Sequence, residues 1–450
     1  MPASKYNTLC ILCITALGIM FMAFYNGYPL VSPDTGTYID TAFNFYMPPD
    51  RPPFYGMFLR VSSLSVSLWY SVFTQCFILA FLLYRLSGLV YGSQWSIKLY
   101  TTGFIMILAF TYISWVSSFL MADTFTPILL LAIVLYLYRD ITPRAALIYL
   151  PLIAAANLMH NSHFAITLLF AVFILVVAMV KRSRVLASKA IALLSVSICC
   201  YLLICSMNSF NHKKFVLASG SHVFMMGRLA ETGILNTYLG DHCATEKYKL
   251  CNYVDAIPGD AGTFIWDQNS PFYKTGGWDS SAQEYNNIIH HIFTHPKYVA
   301  MFVAKSATST LRQLSQINIP GKPTLQGKGS GIWVGVTHYF HHEEKEYLAS
   351  KQNFNVLDVN GLNFIYGLFL VASSIFVVWY INDSPGHKQL KNIYFAMIIL
   401  IVLNAFATAT FGNVLDRLQN RVFWLLPALN AMLLARYLYE VYGTEKRIVK

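Results

Sequence analysis

Apolar runs approaching the roughly 20 residues of a helical membrane span recur along the chain. They fall at 7–26, 62–84, 98–117, 123–138, 144–159, 162–180, 187–206, 360–381, 392–411 and 421–440. This pattern predicts an all-α, multi-spanning membrane protein with about ten transmembrane helices. The interval 207–359 is too long to be a mere connection and must carry structure of its own. It reads as mixed but mainly helical, with Gly and Asn turns around 218–240 and 258–280 and amphipathic helices over 281–295 and 296–314. A Gly/Lys-rich loop over 320–331 and a charged helix over 337–351 follow. The chain thus divides into an N-terminal membrane domain (1–206) with a polar first loop (27–61), an insert (207–359) and C-terminal transmembrane helices (360–450).

Composition agrees: 56% of residues are hydrophobic and 12% charged, against about 25% charged in soluble domains. The formal charge of +11 is not a nucleic-acid signal, because the basic residues are scattered rather than massed. Lys5, Arg85, Lys98, Arg139, Arg144, Lys181, Arg182, Arg184, Lys189, Lys388, Lys391, Lys446, Arg447 and Lys450 all fall on one side of the spans. The short loops opposite hold Arg51, Arg60, Arg417 and Arg421. The positive-inside rule makes the first side cytoplasmic, with both termini there. No small-residue cleavage site follows the first run, only Phe24-Tyr25-Asn26, so it reads as an uncleaved span. Six of the eight cysteines lie in apolar runs as packing residues. Cys243 and Cys251 lie in the insert, on the outer side where disulfides persist, and the segment between them is long enough to turn back. They are expected to be bonded.

This orientation puts nearly every unusual polar residue on one face: Asp34, Asp40 and Arg51 in the first loop, Asp123, the His160–His163 turn, the insert and the 416–421 turn. Ser32-Pro33-Asp34 has the composition of a helix start, which satisfies free amides and the helix dipole. A carboxylate there could equally serve as a general base. Asp34 and Tyr38 share a helix face and Asp40 points elsewhere. Arg417 and Arg421, four apart, share a face too. Their guanidiniums suit a lipid phosphate, or interfacial anchoring with a salt bridge to Asp416. Arg51 is of the same kind, and His160 and His163 either cap their turn or touch a substrate. His338 and His342 with Glu346, and His291 with His295, have helical metal-ligand spacing, yet each set lies in an ordinary charged amphipathic segment. The 321–330 loop departs from a phosphate-binding loop in its Gly-to-Lys gap and in having Gly329 where Ser or Thr would hold magnesium.

An outward first-loop aspartate, then a short helix and an Arg-Pro segment, resembles the GT-C superfamily of multi-spanning glycosyltransferases, including protein O-mannosyltransferases and lipid A aminoarabinose transferases. Met121-Ala122-Asp123-Thr124-Phe125 resembles that family's second acid at the start of a later span. Arg421-Val422-Phe423-Trp424-Leu425-Leu426-Pro427 resembles its C-terminal Arg-aromatic-x-x-Pro pattern. The resemblance implies a catalytic Asp34 and substrate contacts from Tyr38, Asp40, Arg51, Asp123, His160, His163, Arg417 and Arg421. It implies an inverting transfer of sugar from a polyprenyl-phosphate donor to a lipid, glycan or protein acceptor at the periplasmic face of a bacterial inner membrane. Many members carry an Asp-Glu pair in the first loop where this chain has Asp34-Thr35, so a divalent metal ion is at most an optional cofactor. A surface-polysaccharide polymerase or ligase would use the same donors from the same face. A transporter or flippase of lipid-linked glycans would instead need polar residues inside the spans, where only Gln75 and Asn404 stand out.

Overall fold

The computed structural model describes residues 5–138, 143–319, 322–383 and 387–448. Of the basic residues read as cytoplasmic, Arg139 and Lys450 lie outside these, as do Pro320 and Gly321 of the Gly/Lys-rich loop. Among the described residues the chain is helical, with no strand and a single isolated bridge between Leu30 and Phe119. Six helices among the described residues are long and apolar enough to cross a membrane: Leu68–Gln94, Asn161–Val180, Arg184–His212, Asn360–Asn382, Lys388–Phe411 and Asp416–Tyr442. They turn large apolar side chains outward, such as Val172 and Val176, Ile191 and Ile198, and Leu368 and Ile375. That is how a helix facing lipid differs from one facing water.

The other four predicted spans coincide with shorter apolar helices. Ile97–Phe110 has 14 residues, about 21 Å of helix against a hydrocarbon core of about 30 Å. Two of the apolar runs are broken near one end. The first divides into Lys5–Ile19 and Phe21–Asn26, and the third into Ile97–Phe110 and Ile113–Ser117. Serines supply partners for amides freed at the breaks: Met22 N donates to Ser114 Oγ at 2.8 Å and Ala23 N to Ser118 Oγ at 3.0 Å. The following segments then run side by side, with Leu30 N donating to the Ser118 carbonyl and Leu120 N to that of Leu30, both at 2.9 Å. Phe125–Tyr138 is apolar all round and buried along nearly its whole length, as expected for the central helix of a bundle.

The insert has two parts. Residues 223–302 enclose a separate core around Met226, Tyr238, Phe264, Phe272, Tyr285 and Ile292, and Cys243 and Cys251 are joined by a disulfide beside it. Ala282–Thr294 and Pro296–Leu314 occupy the two predicted amphipathic segments. The later part joins the main core through Ile332, Val336, Phe340 and Tyr347. The charged helix expected over 337–351 is instead Gly331–Tyr339, a turn and Glu344–Leu348. The break accompanies the burial of Glu343, which accepts from Tyr28 Oη at 2.7 Å and Leu68 N at 3.2 Å. A buried carboxylate needs such partners, and one continuous helix would not deliver it to them.

Glycines set how closely the first-loop helix Pro33–Asn44 is gripped. A Cβ on Gly56 would lie 2.6 Å from Thr41 Cβ and 2.9 Å from the Tyr38 carbonyl. Gly56→Ala must therefore push Phe54–Ser62 off Pro33–Asn44, at a cost of about 1–3 kcal/mol. A fall in the thermal midpoint of the purified protein is the expected readout, and an unchanged midpoint would show that the crossing is looser than described.

Candidate functional site

The polar residues singled out along the sequence meet beside the paired segments at Leu30 and Leu120. The Thr35 hydroxyl accepts from the Ser32 amide at 3.0 Å and donates to the Leu120 carbonyl at 2.9 Å. It thereby fixes the first turn of Pro33–Asn44 against the turn Ala122–Thr124, and Asp34 is brought beside Asp123. From the far end of the chain, Asp416–Phe423 presents Arg417 and Arg421 on one face. The insert holds the start of that helix. Gln313 Nε2 donates to the Leu415 carbonyl at 2.8 Å and Gln313 Oε1 accepts from Leu415 N at 3.0 Å.

Arg417 joins the two carboxylates. Its Nη1 donates to Asp34 Oδ2 at 2.7 Å, and its Nε lies 3.4 Å from Asp123 Oδ2. Arg51 Nη1 reaches the other oxygen of Asp34 at 2.9 Å, while its Nη2 and Nε donate to Asp50 Oδ2 at 2.6 and 2.8 Å. The Arg51 guanidinium also lies over the Tyr38 ring, 5.3 Å from its centre. Arg421 Nη1 donates to Asp123 Oδ1 at 2.5 Å, and its Nη2 to Ser162 Oγ and Asn404 Oδ1, each at 3.0 Å. The result is an alternating chain, Asp50–Arg51–Asp34–Arg417–Asp123–Arg421, with equal numbers of each charge. Neither arginine of the last helix pairs with Asp416, the partner the sequence suggested.

Exposure separates the roles. The Arg421 side chain is 1% exposed and that of Arg417 is 42%. Arg417 can meet a ligand; Arg421 is a buried support for Asp123. Burial favours the neutral form of Asp34, but the Arg417 and Arg51 guanidiniums outweigh it and hold the carboxyl below the usual carboxylate range. Burial and the neighbouring Arg421 push His160 down to about 3, so a neutral imidazole stands 3.9 Å from Asp123.

Asp34, Tyr38, Arg51, Asp123, His160, Arg417 and Arg421 are therefore one cluster. Two candidates take no part in its ion pairs. Asp40 is on the other side of its helix, where it accepts from Asn44 Nδ2 at 2.5 Å. His163 is fully buried, with Nδ1 2.6 Å from the Ala156 carbonyl and Nε2 2.8 Å from Thr126 Oγ1. Both nitrogens are engaged within the protein, which leaves none for a substrate. Sequence reasoning missed Asp50, whose only signal is its adjacency to Arg51, and Ser162, hidden in a turn read for its histidines. Asn404 was visible as a polar residue within a span but had no assigned partner.

The donor set does not suit a divalent cation. Both oxygens of Asp34 are taken by the Arg51 and Arg417 guanidiniums, Asp123 faces Arg417 and Arg421, and among the described residues no group of three His, Cys, Asp or Glu could hold a metal. The paired histidines do not share helices either: Phe340 breaks the backbone between His338 and His342, and His295 is extended as the cap of Pro296–Leu314. The loop after 321 is tied down through Gln352, whose Nε2 donates to the Val31 and Thr324 carbonyls at 2.8 and 2.9 Å. No family model, no curated protein and no solved structure matches the chain.

Arg421→Gln leaves Asp123 buried without its main partner, a change that costs about 3–5 kcal/mol and should collapse the yield of folded protein. Arg417→Gln, at a half-open position, should cost about 1 kcal/mol or less. The Arg417 contribution requires ionised Asp34. It is fully present above the unfolded carboxyl value of about 3.9 and is lost as pH falls through the lower folded value. Thermal midpoints of wild type and Arg417→Gln should thus differ at neutral pH and converge in acid; an equal gap at both would remove Asp34 from the pairing.

Proposed function

We propose that the protein is a GT-C-like glycosyltransferase that moves a sugar from a polyprenyl-phosphate donor to an acceptor hydroxyl. The reading is carried by the contact between Asp34 and Arg417, residues 383 positions apart, which sets a carboxylate against a half-exposed guanidinium at the mouth of an otherwise closed charge cluster. The donor phosphate takes Arg417, together with the Nη1 of Arg51, in place of the Asp34 carboxylate. Freed of its cations, Asp34 becomes a stronger base. It accepts the proton of the acceptor hydroxyl as that oxygen attacks the anomeric carbon from the side opposite the phosphate. The bond from the anomeric carbon to the phosphate oxygen breaks, the configuration inverts, and the departing phosphate keeps the electron pair. Arg417 and Arg51 stabilise the charge that grows on it, the kind of term that contributes most to such reactions. Arg421 acts as a positioning residue by holding Asp123, and no step passes through a metal.

Such chemistry requires the cluster to face the compartment that holds the donor. The proposed topology has ten spans, both termini cytoplasmic and the insert periplasmic, in a bacterial inner membrane. The disulfide between Cys243 and Cys251 supports an oxidising location for the insert. Single cysteines placed at Ser183 and Ser330, in a chain stripped of its free cysteines, test it in intact cells with an impermeant maleimide. Labelling at 330 and not at 183 is expected, and the reverse pattern would invert the topology and end the reading.

Asp34→Asn should abolish glycan transfer, by a factor of about 10² or more, in protein that still accumulates in the membrane. Arg417→Gln should weaken donor use far more than acceptor use, with Arg417→Lys recovering part of the loss because a point charge lacks the guanidinium fork. Masses of envelope glycans from cells carrying each variant provide the measurement. Full transfer by Asp34→Asn would reduce Asp34 to a helix-capping residue.

A further inference from the structure

The helix Pro33–Asn44 has a second polar face. Asp34 and Tyr38 turn toward the arginines, whereas Thr37, Asp40 and Asn44 line a cavity of about 480 Å³ on the opposite side. Its other wall is the insert helix Gly331–Tyr339, which contributes Val334, His338 and Tyr339. The volume falls within the about 300–1,000 Å³ of small-ligand sites. Its floor is a crossing of backbones: a Cβ on Gly36 would lie 3.0 Å from the Gly331 carbonyl carbon, and one on Gly335 would lie 2.7 Å from Ile39 Cγ2. Only glycines at these positions leave the floor flat.

The chemistry of the walls is selective. Among the described residues no lysine or arginine lines the cavity, so the walls described offer no cation to a phosphate, and Asp40 would repel one. What the walls do offer is a carboxylate, an amide, an imidazole, hydroxyls and an aromatic face, which together suit a ligand rich in neutral hydroxyls. Three of these groups are pre-set. Tyr339 Oη donates to Asn44 Oδ1 at 2.8 Å, Asn44 Nδ2 donates to Asp40 Oδ1 at 2.5 Å, and the Tyr339 ring stacks on Phe43 with centres 4.2 Å apart. A linked set of this kind keeps its rotamers before a ligand arrives.

We propose that this cavity binds the carbohydrate acceptor, with Asp40 and Asn44 taking its hydroxyls and Tyr339 its apolar ring face. The assignment as acceptor site rests on the glycosyltransferase reading; the binding of neutral carbohydrate does not. Pro33, next to Asp34, also lines the cavity, so an acceptor held there lies against the turn that carries the proposed base. The body of the acceptor would then lie along the uncharged-ligand face of the short helix, while its reacting hydroxyl passes Pro33 to meet Asp34 and the donor on the arginine face.

The test uses the full-length protein in lipid nanodiscs, with methyl mannoside, methyl galactoside and methyl N-acetylglucosaminide as probes and saturation-transfer NMR as the readout. Val334 is 54% exposed on the cavity wall, so Val334→Trp fills the space without disturbing a core. At least one probe should give a signal in wild type that disappears in Val334→Trp, and Asp40→Asn should weaken it about tenfold through loss of charged acceptance. The signal should survive in Asp34→Asn and Arg417→Gln. Silence from all three probes, or an unchanged signal in Val334→Trp, would overturn the proposal. Carbohydrate binding without any turnover of a polyprenyl-phosphate sugar would sink the transferase reading and leave the cavity assignment standing.

Discussion

The structure depends on one constraint: two arginines and three aspartates have been largely withdrawn from bulk water at one end of an apolar bundle, beside a half-exposed Arg417. A guanidinium or carboxylate left alone there would cost several kcal/mol, so each must find its opposite. The partners are supplied by the first loop, by the turn before Phe125 and by the last long helix. Arg417 is the link through which these separate elements become one unit. Its removal and that of Arg421 are not equivalent, because Arg417 is half-exposed and Arg421 is buried and sealed by Ser162 and Asn404.

The same need explains the departures from regular helices. An unbroken first span and an unbroken third span would satisfy every backbone amide internally. By ending early, they let Leu30 pair with Ser118 and Leu120, and this pairing aligns Asp34 with Asp123. The broken ends call for Ser114 and Ser118 as substitutes for lost helical partners. Shortened apolar helices and an assembled polar cluster are therefore two aspects of one arrangement.

Much of the architecture was legible in the sequence because helical spans announce themselves by composition and length. Every apolar run is mostly helical, though the first and third are each broken in two, and Ala282–Thr294 and Pro296–Leu314 began and ended close to where their periodicity placed them. Length within the membrane was less legible, since amides after the break at Met20 find serines on another segment and the break at Thr111 is closed by the threonine's own hydroxyl. At the site, residue types alone marked Asp34, Asp123, Arg417 and Arg421 but not their pairing. The local rule that Arg417 would turn to Asp416 lost to a partner 383 positions away. His163 misled because a histidine in a polar turn looks available, whereas both of its nitrogens are spent on Thr126 and Ala156. Asp40 was correctly separated from Asp34 by helical phase, but the cavity it faces is closed by Gly331–Tyr339, which no local pattern could place there.

The balanced charge of the Asp50-to-Arg421 series has a consequence at long range. Alternating charges cancel within a few ångströms, so the cluster projects almost no field into the surrounding solution and draws in no cloud of counter-ions. Small free anions are not concentrated at its mouth, although three guanidiniums lie just inside. An anion gains from those guanidiniums only on contact, after something else has carried it there. Under the proposed function, anchorage in the bilayer would do that for a lipid-borne headgroup, so that the membrane rather than a long-range field would bring the donor to the arginines.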